Sequence, residues 1–402
     1  MKKRYLAIGL LATAFQSFGQ KSDSGYHKKQ LSHSDVSAIF SYYTQDNDHS
    51  AVTGGIGTED LQVYAFQIGA DYIKDSVRTV SFNVGFDVIS SASTDNIDFV
   101  MSSASRHDIR SHSYLGYSRF LNDKRTTLGG GISFSLESDY LSWGQSLFLN
   151  RINERQTREV SASLQLYFDD LRWGRFQGGK PITLIYPVEL RNTEWFDIYR
   201  RNSYNLMLGV YQTINKRMAL GFYPGISYQS GLLSTPFHRV FFDDNSKRVE
   251  NLPPNRVKIP IGLQLNTFVG TRMILRTYYR YYWDDFGISS HTINLEAPVK
   301  MTRVVTLTPF LRLYNQSMAD FFKPYAEHNI SQEFYTSDYD LSHFHSIAAG
   351  LGFRYSPYSR KKLTTFKEVE LRFMHYDRSD GLTSNTISLF FNYDKAKEKK
   401  LE

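Results

Sequence analysis

The chain has 402 residues, no cysteine, 15% aromatic residues, a formal net charge of +7 and a mean hydropathy of −0.40. Without cysteine it can form no disulfide, no thiolate metal site and no lipid-modified N-terminal cysteine. The positive charge is spread along the chain apart from the lysine-rich end from Lys395 to Lys400, so the basic stripe that tracks nucleic acid is missing.

In chain order, Lys2, Lys3 and Arg4 precede the apolar run Tyr5 to Phe15, and Ser17 and Gly19 occupy small-residue positions before Gln20. That order predicts a cleaved secretory signal peptide over residues 1–19 and a mature single domain over 20–402, exported from the cytoplasm. The apolar run is about half the roughly 20 residues that a membrane-spanning helix needs. No later segment supplies such a run either, so entry into a membrane has to be by strands.

Period-two alternation recurs through the rest of the chain. It predicts strands near 36–46, 61–73, 77–90, 109–121, 125–138, 140–152, 156–168, 203–213, 217–230, 257–269, 272–284, 288–298, 302–315, 346–356, 364–378 and 384–393. Val80, Phe82, Val84, Phe86 and Val88 share one parity against Ser81, Asn83, Gly85 and Asp87. Later, Leu275, Tyr279, Tyr281 and Trp283 oppose Arg276, Tyr278, Arg280, Tyr282 and Asp284. Any one such strand could also line a soluble sandwich.

Loop length separates the two. Short turns at Asp75-Ser76, Asn122-Asp123-Lys124, Asn153-Glu154, Asn215-Lys216, Gly270-Thr271 and Lys300-Met301 alternate with the long connections 47–60, 91–108, 169–202, 231–256 and 316–345. A sandwich has no reason to segregate loop length by strand parity. An all-β, antiparallel, up-and-down transmembrane barrel does: about sixteen strands, with fourteen as the alternative count, short periplasmic turns and long extracellular loops. Such a fold places the chain in the outer membrane of a Gram-negative bacterium, in contact with its lipid. The last strand, with Ile387, Leu389, Phe391 and Tyr393 outward, is similar to the final strand that barrel-assembly machinery recognises, although a charged tail from Asp394 to Glu402 follows it.

One echo stands out: Asp87-Val-Ile-Ser-Ser-Ala-Ser is followed by Val100-Met-Ser-Ser-Ala-Ser. Together with Thr235-Pro-Phe-His-Arg-Val-Phe, Tyr278-Tyr-Arg-Tyr-Tyr-Trp-Asp-Asp-Phe-Gly-Ile-Ser-Ser-His-Thr and Ser337-Asp-Tyr-Asp-Leu-Ser, it resembles a domain-of-unknown-function family of extracytoplasmic proteins in Bacteroidetes and proteobacteria. The likeness runs along essentially the whole mature chain. It implies an outer-membrane barrel encoded near thioredoxin-like proteins and flavin transferases, and so a link to extracytoplasmic redox maturation. It carries over no catalytic residue.

Parity places Asp87, Glu137, Asp139, Arg276, Arg280, Asp284, Glu296, Arg312, Glu368, Glu370 and Arg372 inward. Charges across a lumen can brace the wall and set a field that selects solutes. Any wet interior carries such residues too, and a single sequence does not give the register that decides which of them meet. Ser90, Ser91, Ser93, Ser102, Ser103 and Ser105 are expected in an inward-folded segment in or beside the second long loop, by turn chemistry or as oxygen ligands of a hard cation. His343 and His345 project to one side of an extended chain with Asp338 and Asp340 close by, a candidate metal set. No cofactor is implied. His238, His291, Asp284 and Asp285 are the candidates for rim hydrolysis, but no nucleophile elbow, zinc-binding helix or phosphate loop accompanies them, so the chain is read as a non-enzyme. Two expectations stay open: a pore for small solutes, or a plugged scaffold that holds partner proteins.

Overall fold

The computed structural model describes residues 32–91, 107–123, 125–137, 140–171, 199–357 and 364–396. The signal peptide expected over 1–19, Asp139, Ser93, Ser102, Ser103, Ser105 and the end of the charged tail lie outside them.

The strands are β1 (Ser32–Asp46), β2 (Leu61–Lys74), β3 (Arg78–Ser91), β4 (His107–Phe120), β5 (Thr126–Leu136), β6 (Leu141–Ile152), β7 (Arg158–Asp170), β8 (Arg200–Asn215), β9 (Met218–Gly231), β10 (Arg239–Phe241), β11 (Lys247–Val249), β12 (Asn255–Val269), β13 (Met273–Asp284), β14 (Ser289–Glu296), β15 (Val299–Lys300), β16 (Val305–Gln316), β17 (Phe344–Tyr355), β18 (Thr364–Arg378) and β19 (Thr383–Ala396). All but the β10–β11 hairpin belong to one antiparallel sheet. Pro298, which has no N–H to donate, separates β14 from β15, and these two segments form one wall strand; the wall therefore has the sixteen strands expected. β1 pairs with β2 along one edge and with β19 along the other, Val36 opposite Tyr393 and Tyr42 opposite Ile387. The sheet closes on itself, and no wall strand is left with an unpaired edge to satisfy.

Turn chemistry explains one end of the barrel. Asp75 and Ser76 both take positive φ, at 55° and 53°, and Val77 N donates to Lys74 O at 3.1 Å, which matches the right-handed twist of the strands that the turn joins. In the next turn Asp123 accepts from the Arg125 and Thr126 amides and from the Thr126 hydroxyl, bonds that pull its carboxyl down to about 2. Asn153 accepts from the amides of Thr157 and Arg158 in the same manner. The long connections all emerge at the opposite end.

The two faces of the wall divide as the alternation requires. Phe82, Phe86, Leu128, Ile132, Phe134, Leu147, Leu351, Phe373 and Ile387 stand exposed on the outside, Leu147 by 60%. Leaving each such side chain in water rather than in an apolar medium costs roughly 1.5–3 kcal/mol, so the outer face calls for hydrocarbon around it. The inner face is mostly polar or small, with Ile89, Phe148 and Phe310 among its larger apolar residues. Buried apolar packing is concentrated instead among the loops. Leu233, Leu252, Phe286, Ile288, Ala319, Phe322 and Leu341 form one cluster there, and Val240, Phe242 and Tyr335 a second.

Candidate functional site

The inner wall from β13 to β18 carries a network of charged side chains. Arg276 faces Glu296 across the β13–β14 ladder, and its Nη1 donates to Glu296 Oε1 at 2.8 Å. Arg372, three wall strands away, donates to the other Glu296 oxygen at 2.9 Å and lies 3.3 Å from Glu370. Gly350 leaves room for the Phe310 ring, since a Cβ there would stand 2.3 Å from it, and the Arg372 guanidinium lies over that ring, 4.9 Å from its centroid. Glu368 is 3.7 Å from Arg354. Arg276, Glu296, Glu368, Glu370 and Arg372 thus lie together with Arg354, which the parity reading did not name.

Arg280 and Arg312 differ from these. Register puts Arg280 in a row with Thr292, Tyr314 and Ser346, and Arg312 in the neighbouring row with Tyr278, Asn294, Ala348 and Tyr376. Among the described residues neither guanidinium has a carboxylate within ion-pair distance, and Arg280 Nε is buried without a hydrogen-bond partner. Two uncompensated cations framed by phenols thus face the lumen at mid-wall.

Four further arginines sit at the long-loop end, each locked. Arg110 donates to Asp87 at 2.7 Å and lies 3.9 Å from Glu137. Arg201 donates to Asp169, which also accepts from Tyr140 and Ser142. Arg256 holds Asp284, 0% exposed, whose second oxygen accepts the amides of Phe286 and Ile288 and so fixes the β13–β14 turn. Arg378 bonds both Asp340 and Asp380 at 2.6 Å. Asp87, Glu137 and Asp284 do point inward as expected, but they belong to the rim locks and are not free lumen charges.

Above the rim the loops 232–254 and 317–343 are folded together. Asn251 and Tyr335 exchange backbone hydrogen bonds at 3.1 and 2.8 Å, and Gln316 reaches from β16 to the carbonyls of Asp340 and Ser342. This body meets the loop 47–60 from the far wall: Ala51–Thr53 packs on the β10 strand, and Phe241 and Tyr325 close over Gly54. Gly54 takes φ +84°, and a Cβ there would stand 2.6 Å from the Phe241 ring. His49 stacks on Tyr339 with ring centroids 3.8 Å apart and donates from Nδ1 to Gly55 O. In the ring order the β1–β2 and β9–β12 connections are eight strands apart on either side, so loops from opposite walls meet across a mouth on the order of 25–30 Å wide.

Within this cap His238, Glu250 and Asp338 converge. Glu250 accepts from Thr235 N and Thr336 Oγ1, both at 2.6 Å. Burial works against a charged His238, but the carboxylates of Glu250 and Asp338 outweigh it and raise its pKa. Burial likewise opposes the Glu250 charge, yet His238 and the two hydrogen bonds hold its pKa down.

Other expected residues fall apart. Ser90 and Ser91 are the end of β3, and Ser90 shares the outward parity of Val88; the other serines of the echo, Ser93, Ser102, Ser103 and Ser105, lie outside the described residues. His343 and His345 do share a side, but it is the exposed one, because Phe344 between them is buried; Asp338 and Asp340 lie inside, so the four make no metal set. His291 faces outward against Tyr279, Asp284 is held by Arg256, and Asp285 caps Val257 N, which leaves the hydrolytic candidates unassembled.

A family profile described as "Protein of unknown function (DUF3570)" matches residues 10–387. No curated protein matches. Among solved structures the chain is similar to OccAB4 of Acinetobacter baumannii, at 10% identity and a TM-score of 0.42 over 92% of this chain and 99% of that one. A bacterial polysaccharide outer-membrane secretin gives 9% identity and a TM-score of 0.48 over 92% and 100%. A TodX mutant, a monoaromatic hydrocarbon channel, gives 8% and 0.40 over 92% and 91%. The barrel assignment itself stands on the strand pairings.

Proposed function

This chain belongs to the DUF3570 family of proteins of unknown function, and from that starting point we propose that it is an outer-membrane channel for small organic anions, narrowed at its mouth by folded loops. The observation that carries this reading is the mid-wall pair Arg280 and Arg312, inward-facing and without carboxylate partners among the described residues. A sixteen-strand ring is too wide for side chains to fill, so its interior is aqueous. In water, unpaired guanidiniums raise the local concentration of anions, and the neighbouring phenols of Tyr278, Tyr314 and Tyr376 add ring faces and hydroxyls for an organic solute.

The outer face supports the membrane location, since closed strands with an apolar exterior are the strand-built solution to a bilayer. The long-loop end then faces outward and the short turns face the periplasm. Reversal potentials in a salt gradient across a planar bilayer test the reading. Anion preference in the native chain that inverts in the Arg280→Glu, Arg312→Glu double variant is the expected result; cation preference in the native chain defeats it. A barrel that never conducts supports the plugged scaffold instead.

A further inference from the structure

Two segments singled out in the sequence, Thr235-Pro-Phe-His and Ser337-Asp, meet inside the loop cap. His238 and Glu250 flank the β10–β11 hairpin as its next cross-strand pair, with Glu250 N donating to His238 O at 3.1 Å. Asp338 arrives from the other loop. His238 Nδ1 lies 3.5 Å from Glu250 Oε1 and 3.8 Å from Asp338 Oδ2, and the three atoms all fall within 4.8 Å of one another.

Those separations are too long for N–H···O hydrogen bonds, which cluster at about 2.7–3.2 Å. The two separations from His238 Nδ1, 3.5 and 3.8 Å, are close to the ligand-to-ligand edge of about 3.4 Å around a tetrahedral ion with bonds of about 2.1 Å. The Glu250 side chain is 0% exposed and that of Asp338 3%, while His238 Nδ1 is buried and lacks a hydrogen-bond partner. Both carboxylates are held in place: Glu250 by Thr235 N and Thr336 Oγ1, Asp338 by the Asp340 amide at 2.9 Å, and Asp338 N itself donates to Thr336 Oγ1 at 3.0 Å. Oriented carboxylates around an imidazole nitrogen that has no hydrogen-bond partner describe a ligand set that is fixed before its ion arrives.

We propose that His238, Glu250 and Asp338 bind a divalent first-row cation of the zinc or manganese class, which staples the loop 232–254 to the loop 317–343 across the barrel mouth. One imidazole with two carboxylates suits such borderline ions and disfavours soft ones such as cuprous copper. Three protein ligands leave a further position for water. The site is independent of whether the barrel conducts.

The test uses the full mature chain, stripped of metal and folded in detergent, dialysed against zinc or manganese and analysed for bound metal. The native chain should retain a single tightly held ion, and the manganese form should show nitrogen couplings from one imidazole in its paramagnetic resonance spectrum. His238→Ala and Asp338→Asn should each weaken retention by about tenfold or more, with folding of the wall verified by the heat-dependent electrophoretic mobility of a closed barrel. Equal retention by the native chain and both folded variants, no retention at micromolar free metal, or a manganese spectrum without nitrogen coupling would overturn the site.

Discussion

The arginines at the rim and those at mid-wall make opposite use of the same side chain. Arg110, Arg201, Arg256 and Arg378 are each held by carboxylates where strands give way to loops, whereas Arg280 and Arg312 face the lumen with no such partner among the described residues. A buried guanidinium with its carboxylate positions the chain, and removing one partner leaves an uncompensated charge. An unpaired guanidinium facing a lumen holds no neighbouring carboxylate in place and, on the proposed channel reading, is left to act on the solute. Pairing, more than location in the barrel, separates the two sets.

That contrast can be broken in order of effect. Asp284→Ala removes the carboxylate that Arg256 bonds and frees the β13–β14 turn, and should cost the loop cap about 3–5 kcal/mol, read as faster proteolysis within 285–343 while the wall keeps its folded electrophoretic mobility. Gly54→Ala forces a Cβ against Phe241 at positive φ and should cost roughly 1–3 kcal/mol of cap stability, visible as a lower protection of the same loops in hydrogen exchange. Arg280→Ala and Arg312→Ala should shift unfolding by no more than about 0.5 kcal/mol yet move the reversal potential toward cations. At the bottom of the scale, Glu154→Ala removes the exposed turn pair with Arg125, whose side chains are 80% and 38% exposed, and should change the unfolding free energy read from a urea titration by less than about 0.5 kcal/mol. If Arg280→Ala proved as destabilising as Asp284→Ala, the contrast would fail.

Much of the wall was legible because hydrocarbon outside and water inside impose a strict period of two, which Val80 to Val88 and Leu275 to Trp283 carry plainly. Turn residues such as Asp75-Ser76 and Asn153 marked the short end for equally local reasons. The inward network of Arg276, Glu296 and Arg372 followed from parity, although its bonds depended on register. The cap was not legible. Thr336 is 86 residues from the Glu250 it bonds, and folded loops have no repeating period to reveal such pairs. Parity grouped His343 with His345 correctly but could not say that Phe344 takes the inside and turns both histidines out. For His238 the signal existed in the flanks of the hairpin, where an aspartate- and asparagine-rich turn between Phe241 and Lys247 sets His238 opposite Glu250.

The most direct test of the central claim, a wet barrel narrowed by loops that meet across its mouth, is single-channel conductance before and after the hairpin 236–250 is replaced by a short glycine-serine linker. Small steps in the native chain that enlarge to open-pore size on excision are the predicted result. Steps that are already large and unchanged by excision, or a barrel that stays silent with the hairpin gone, would contradict it.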